Sequence, residues 1–300
     1  MPEFHTAVAT PDAVTMAQGD ATALFPWFSF TKTVIATLAM LLRRDGALDL
    51  DRPLDGLNGQ PYTTRQLLMH QSGLRDYAGL SEYHADVARG RPPWDRTTFL
   101  AKSQAHSPLF APGQGWAYSN IGYMIAREQV EQAAQMPFAA LFQARIAAPL
   151  GLERSKFAAN PADFSALHWP AVRSYHPDWV AHGTLLGTAP EAAKLMQALV
   201  QGQILPLADL DEMKKAHVLG GPLHGRPWQT CGYGTGLMTG SVARPCGGET
   251  PAFGHSGLGT VCANAVYHFP ATGRSVAVFT SGTSEAPAEF EAARFGCAPA

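Results

Sequence analysis

Ser29 and Lys32 stand three residues apart in Phe28-Ser29-Phe30-Thr31-Lys32-Thr33, at the head of an apolar run. On a helix that spacing places a hydroxyl and an amine on one face, close enough to touch. A serine attacks only when a base takes its proton, and a lysine becomes such a base when burial drives its pKa down. The pair holds the parts for acyl transfer through a covalent serine intermediate. A Ser-x-x-Lys string arises by chance in roughly one chain in four of this size, so it needs support from elsewhere. Three further stretches offer it: Leu67-Leu68-Met69-His70-Gln71-Ser72-Gly73-Leu74, Tyr118-Ser119-Asn120 after Pro112-Gly113, and Gly254-His255-Ser256-Gly257-Leu258-Gly259.

Each residue also has a purely structural reading. Ser29 could cap a helix while Lys32 reaches solvent. Tyr118 and Asn120 could be turn and cap residues, and His255 a packed histidine. His70 and Ser72 read as structural, Asp76 and Tyr77 as loop residues with the cleft wall as the alternative, and Trp27 and Phe28 as core. A Gly-x-Ser-x-Gly elbow is absent, because Leu258 stands where its second glycine would be. No His-x-x-x-His or His-Glu-x-x-His spacing points to a metal, so no metal and no cofactor are expected.

The elements that must position these residues follow from periodicity. Residues 4–18 read as one or two strands broken at Pro11-Asp12, with a turn at Gly19-Asp20. From about Trp27 to Arg44 the run is apolar on nearly every face, which predicts a helix buried all round and ending at Asp45-Gly46. Helices are expected at 64–70 (from a Thr cap), 121–135, 138–146, 189–201 and 207–217. Past Cys231, β-rich runs at 235–242, 260–268 and 274–280 alternate with Gly and Pro, His255 lies at the start of a further strand, and 285–295 reads as a closing helix. Strands at both ends with helices between them predict an α+β fold: an antiparallel sheet flanked by helices, built from both termini, plus an inserted, mostly helical lobe. On this reading residues 1–300 form one catalytic domain, with an α/β lobe at 1–55 and 225–300 and a helical lobe at 56–224, the site lying between them.

Composition narrows the partners. The 300 residues are 46% hydrophobic and 15% charged, with a net charge of −2, which fits a large core and gives no basic surface for nucleic acid. The apolar stretch from Thr33 to Leu42 is too short to span a bilayer. The N-terminus lacks the basic start and apolar run of a signal peptide, so a cytoplasmic protein with no membrane partner is expected. Cys231, Cys246, Cys262 and Cys297 form no Cys-x-x-Cys pair; free thiols are the expectation, with a Cys231–Cys246 bridge across a hairpin as the alternative.

Taken in order, the four motifs resemble the serine β-lactamase-like superfamily, and within it the class C branch with its DD-peptidases, family VIII carboxylesterases and D-amino acid amidases. The likeness runs over nearly the whole chain, through Ala47–Leu54, Ala148–Leu152, Gly183–Gly202 and Tyr233–Gly236. It implies Ser29 as nucleophile and Lys32 as base, with Tyr118 within hydrogen-bond reach of both as proton shuttle. Asn120 would orient Lys32 and the substrate, and His255 would bond Tyr118 or meet the substrate's polar end. Ser256, Gly257 and Leu258 would line the substrate, and the backbone N–H groups of Ser29 and Leu258 would form the oxyanion hole. Where the family often has Lys-Thr-Gly this chain has His255-Ser256-Gly257. Only 28 residues precede Ser29, fewer than is usual. The resemblance implies a serine hydrolase of small esters or amides, with a carboxylesterase preferred. The alternatives are a DD-peptidase or D-aminopeptidase, a β-lactamase, or a non-catalytic binding module. A cationic side chain near His255 would favour the peptidase, because its substrates end in a carboxylate.

Overall fold

The computed structural model describes residues 3–57 and 59–298. Strands β1 (Phe4–Ala9) and β2 (Val14–Gln18) flank the break at Pro11-Asp12. The rest of the main sheet comes from the far end of the chain: β3 (His217–Gly220), β4 (Trp228–Tyr233), β5 (Met238–Ala243), β6 (Glu249–Leu258), β7 (Cys262–Phe269) and β8 (Arg274–Ser281). All are antiparallel, in the order β2-β1-β8-β7-β6-β5-β4-β3. The two ends of the chain meet where Phe4 lies opposite Thr280 and Ala9 opposite Ser275. This is the α+β architecture that the alternation of strands and helices predicts.

The central strands are apolar at successive positions because both faces are covered. In β8, Val276 and Val278 pack with Ala288, Ala292 and Ala293 of the closing helix Ala286–Gly296, while Ala277 and Phe279 face the larger core. Each of the valines and the phenylalanine contributes about 1.5–3 kcal/mol on burial, and each alanine methyl about 0.8 kcal/mol. Helix α1 (Thr31–Arg44) is buried from Thr31 to Leu42, so an apolar run with no polar face becomes a central helix. It packs against α2 (Asn120–Ala134). Helix α3 (Ala189–Val200) lies against β1 and β8.

Three local expectations change. The helix at 207 ends at Met213, whose carbonyl accepts the Thr235 N–H, and His217 then begins the edge strand β3. The cap of helix 64–68 is Thr63, whose side chain and that of Gln66 form a capping box. Finally, β6 starts at Glu249, so His255 lies well inside the strand. Pairing with β5 stops at Met238 opposite Gly254, whereas β7 continues to pair through Leu258. Residues 255–258 therefore have one strand neighbour, and their other side packs on the turn at Phe28–Phe30.

The four cysteines are free thiols. Among the described residues no helix is long and apolar enough to cross a membrane.

Candidate active site

Ser29 sits in a single 3-10 turn, Phe28–Phe30, that runs directly into α1. Phe28 has φ +41°, a left-handed conformation that costs a non-glycine residue about 1–3 kcal/mol. Its surroundings hold it there. The Phe28 N–H donates to Thr184 Oγ1 (2.9 Å), the Trp27 N–H to the Leu185 carbonyl (2.7 Å), and the Leu185 N–H to Thr31 Oγ1 (2.9 Å). Gly259 leaves room for the Phe28 ring, since a Cβ there would lie 2.3 Å from it. Segment 184–185 is itself fixed by strand pairing, with Leu186 opposite both Pro26 and Lys156.

Three side chains converge on Lys32 Nζ inside the protein. Ser29 Oγ lies at 3.0 Å, Asn120 Oδ1 at 2.7 Å and His182 Nε2 at 3.1 Å. Lys32 is fully buried, and desolvation pushes its pKa well below the ordinary lysine value, opposed by the nearby Asp76 charge. Asn120 cannot flip its amide, because Nδ2 donates to Asp76 Oδ2 (3.0 Å) and its backbone N–H to Asp76 Oδ1 (2.9 Å). Burial raises the Asp76 carboxyl, offset by those bonds and by Lys32.

The Tyr118 hydroxyl donates to Ser29 Oγ at 2.9 Å. Burial lifts its pKa well above the ordinary tyrosine value, so it meets the serine as a neutral phenol. It makes no hydrogen bond to Lys32 among the described residues; the amine instead lies 4.9 Å from the Tyr118 ring centre, its three bonding directions filled by Ser29, Asn120 and His182. A serine with a buried amine on one side and a phenol on the other can be deprotonated and can receive a proton back.

His255 lines the cleft but, of its two expected placements, does not take the one beside Tyr118. Its Nε2 bonds the Tyr233 hydroxyl (2.9 Å) and its Nδ1 bonds the Ser256 carbonyl, while its ring centre is 6.4 Å from that of Tyr118. Burial, reinforced by Lys32, lowers its pKa to about 3, so it is neutral at working pH. Tyr233 rather than Tyr118 is its partner because β4 and β6 carry the two residues on flanking strands of β5. Gly257 brings β6 against the serine turn: a Cβ there would lie 2.9 Å from Ser29 N and 2.9 Å from the Trp27 carbonyl oxygen. Leu258 and Ser256 line the cleft.

That cleft has a volume of about 640 Å³ and its walls include Ser29, Asp76, Tyr118, Arg226, His255 and Glu285. Arg226 donates to Ser256 Oγ (3.2 Å) and is gripped by both oxygens of Glu289, a wholly buried carboxylate that also accepts from Trp228 Nε1 (3.1 Å) and the Tyr267 hydroxyl (2.7 Å). His182, Arg226 and Glu289 escape the sequence reading, while Asp76, read as a loop residue with the cleft wall as the alternative, lines the cleft. Only Asp76 carried a local signal, as a charged residue just past the Leu67–Leu74 stretch. Trp27 and Phe28 are buried core, and His70 accepts the Ser119 N–H on Nδ1 amid the Trp116, Tyr118, Tyr123 and Tyr233 rings.

Elsewhere, Glu3, His5 and His168 bring a carboxylate and two imidazoles together. The Asp20 N–H donates to His5 Nδ1 (3.0 Å), so a neutral His5 carries its proton on Nε2, the nitrogen that a metal would need. Hydrogen bonds from His5 and His168 to Glu3, and between the two rings, tie the N-terminal strand to the segment at 168.

Comparison with known proteins places this geometry. The family model described as Beta-lactamase matches residues 7–296. Penicillin-binding protein 4* of Bacillus subtilis (strain 168) is 33% identical over 138 residues, 45% of this chain and 30% of that protein. D-aminopeptidase of Brucella anthropi is 28% identical over 203 residues, 63% of this chain and 36% of that protein. The matches thus span about a third of those relatives' length. Among solved structures, the D-stereospecific amidohydrolase from Streptomyces sp. superposes with a TM-score of 0.79 at 26% identity, covering 96% of this chain and 93% of that one.

Proposed function

The chain belongs to the beta-lactamase family, in its class C and DD-peptidase-like branch of serine hydrolases, and from that premise we propose that it hydrolyses small amides whose acyl part carries a free amine, D-aminoacyl amides being the leading class. Lys32, kept neutral by burial, takes the Ser29 proton as the serine oxygen attacks the carbonyl carbon. The Ser29 N–H, with that of Leu258, receives the developing oxyanion. As the carbon–nitrogen bond breaks, Tyr118 gives its phenol proton to the departing nitrogen and takes back the proton held by the Lys32 ammonium; water then loses a proton to the same pair as it attacks the acyl-enzyme, releasing the acid and restoring the Ser29 hydroxyl. Asn120 and Asp76 hold the lysine in line.

One observation carries the choice of substrate. The cationic side chain near His255, Arg226, is neutralised by buried Glu289, so it suits a neutral carbonyl oxygen better than a free carboxylate. Glu285 adds a carboxylate to the same cleft, with no ion pair among the described residues, and offers a seat for an ammonium group. This weighs against a carboxypeptidase and for an amidase or aminopeptidase. The D configuration is supported by the kinship with a D-stereospecific amidohydrolase and a D-aminopeptidase. A carboxylesterase is the second reading, favoured by the exposed Leu219, Leu223 and Leu258 at the cleft mouth.

The test compares kcat/KM for a D-aminoacyl anilide, its L counterpart, its N-acetylated form and a simple activated ester, alongside fluorophosphonate labelling and peptide mapping. The free-amine D substrate should lead its N-acetylated form by about 10-fold or more, an advantage lost in Glu285→Gln. Equal rates with and without the amine would leave the esterase. A folded protein with no adduct on Ser29 would point to a binding module instead.

A further inference from the structure

His182 has no part in the sequence motifs, yet it is one of three partners of the buried amine. It is itself buried, and its Nδ1 has no hydrogen-bond partner among the described residues. A neutral amine has two N–H bonds and one lone pair, and it is a base toward Ser29 only while the lone pair faces Ser29 Oγ. Asn120 Oδ1 is a fixed acceptor for one N–H, because Asp76 locks the amide. The other N–H must go to His182 Nε2, or the lone pair turns away from the serine.

We propose that His182 is a positioning residue whose bare Nε2 accepts a hydrogen bond from neutral Lys32, so that Asn120 and His182 together aim the lysine lone pair at Ser29. This rests on the reading of Lys32 as the base of Ser29. It requires His182 to hold its proton on Nδ1, against the preference of a free imidazole for Nε2–H, with the Phe28 backbone, short of a full hydrogen bond, as the group that favours an added proton on the ring. The opposite tautomer would donate Nε2–H into the lone pair and cap the base. When the Ser29 O–H bond breaks and the third Lys32 N–H bond forms, the same cradle receives the ammonium with no regrouping of partners. The groups facing this centre from neighbouring elements keep the imidazole neutral. Burial above all disfavours imidazolium, joined by the charge of Lys32 once it has taken the serine proton, by Arg127 and, less, by His255; the Phe28 backbone opposes them, and the Tyr123 ring covers one side. Around Lys32 stand Asp76, Tyr118, Tyr123, His70 and His255.

The test has two parts. Nitrogen-15 NMR of the folded wild type, with His182→Gln for assignment, should find His182 with Nδ1–H and a bare Nε2. Kinetics of His182→Phe, which keeps ring volume without an acceptor, should show kcat and the fluorophosphonate labelling rate down by about 10–10²-fold at little-changed KM. His182→Gln, which restores an acceptor, should recover most of the loss. A proton on Nε2, or a folded His182→Phe with kcat within about 3-fold of wild type, would overturn the proposal. If His182→Phe does not fold, the tautomer decides alone. Absence of wild-type labelling at Ser29 would instead refute the hydrolase reading, and the tautomer would still be read separately.

Discussion

Replacing Gly257 by alanine tests whether the strand edge and the serine turn work as one piece. The added Cβ would lie 2.9 Å from Ser29 N, 2.9 Å from the Trp27 carbonyl oxygen and 2.9 Å from Asn264 Nδ2. Carbon contacts settle near 3.5 Å, so strand and turn must separate by about 0.6 Å. Two of the three obstacles are backbone, and the third, Asn264 Nδ2, is tied to the Trp27 carbonyl at 3.1 Å. No flexible side chain can absorb the shift. Overpacking of this kind costs about 1–3 kcal/mol of stability. The same displacement moves the Ser29 N–H, and with it the pocket for the oxyanion, by a distance that costs on the order of 10- to 10²-fold in rate. The assay is kcat and KM on an activated ester, with a thermal melt to confirm folding. The loss should fall on kcat, because the contact lies at the reacting centre. A Gly257→Ala protein that folds and keeps kcat within about 3-fold would show that β6 does not set the serine's geometry, and the oxyanion assignment would go with it.

Lys32→Met should lower kcat by about 10²–10⁴-fold while raising the melting temperature at neutral pH. The folded lysine pKa is depressed by burial, so between that value and 10.5 the unfolded chain binds the extra proton. Stability of the wild type therefore rises with pH across that window, and the melting gap between Lys32→Met and wild type should close as pH nears 10.5. His255, at about 3 in the folded protein against 6.5 unfolded, takes up its proton on unfolding between those values. Stability should fall as pH drops through that range, and melts of His255→Gln from pH 7 to 4 should fall less steeply than wild type. Glu289→Gln leaves Arg226 without its counter-charge and should cost about 3–5 kcal/mol in a urea titration; a loss below 1 kcal/mol would mean that Arg226 finds another partner.

Ser29, Lys32, Tyr118 and Asn120 come together as their motifs imply, because each pair is local and of distinctive chemistry. The buried helix after them was equally plain from an apolar run with no polar face. What escaped is held by contacts across the chain. Asp76 meets Asn120 at a separation of 44 residues, His182 meets Lys32 across 150, and Glu289 grips Arg226 across 63. No spacing rule links such pairs. His255 was found, but its partner was not, since choosing Tyr233 over Tyr118 depends on which strands lie side by side. The helix at 207 was read too long because its stop comes from Thr235, a residue beyond the helix and the two following strands.

The pairing of β1 with β8 has a consequence for the order of events in the chain's life. Residues 4–9 are made about 270 residues before their sheet partner, which spans 275–280. The strand between them and the serine turn's edge, β7, also comes late. Non-local closure of this kind is slow, since the loop entropy must be overcome before any contact rewards it. Hydrolytic competence should therefore switch on only after β8 has left the ribosome, in step with the slowest refolding phase. A partly made chain has its nucleophile in hand and no edge to set it against.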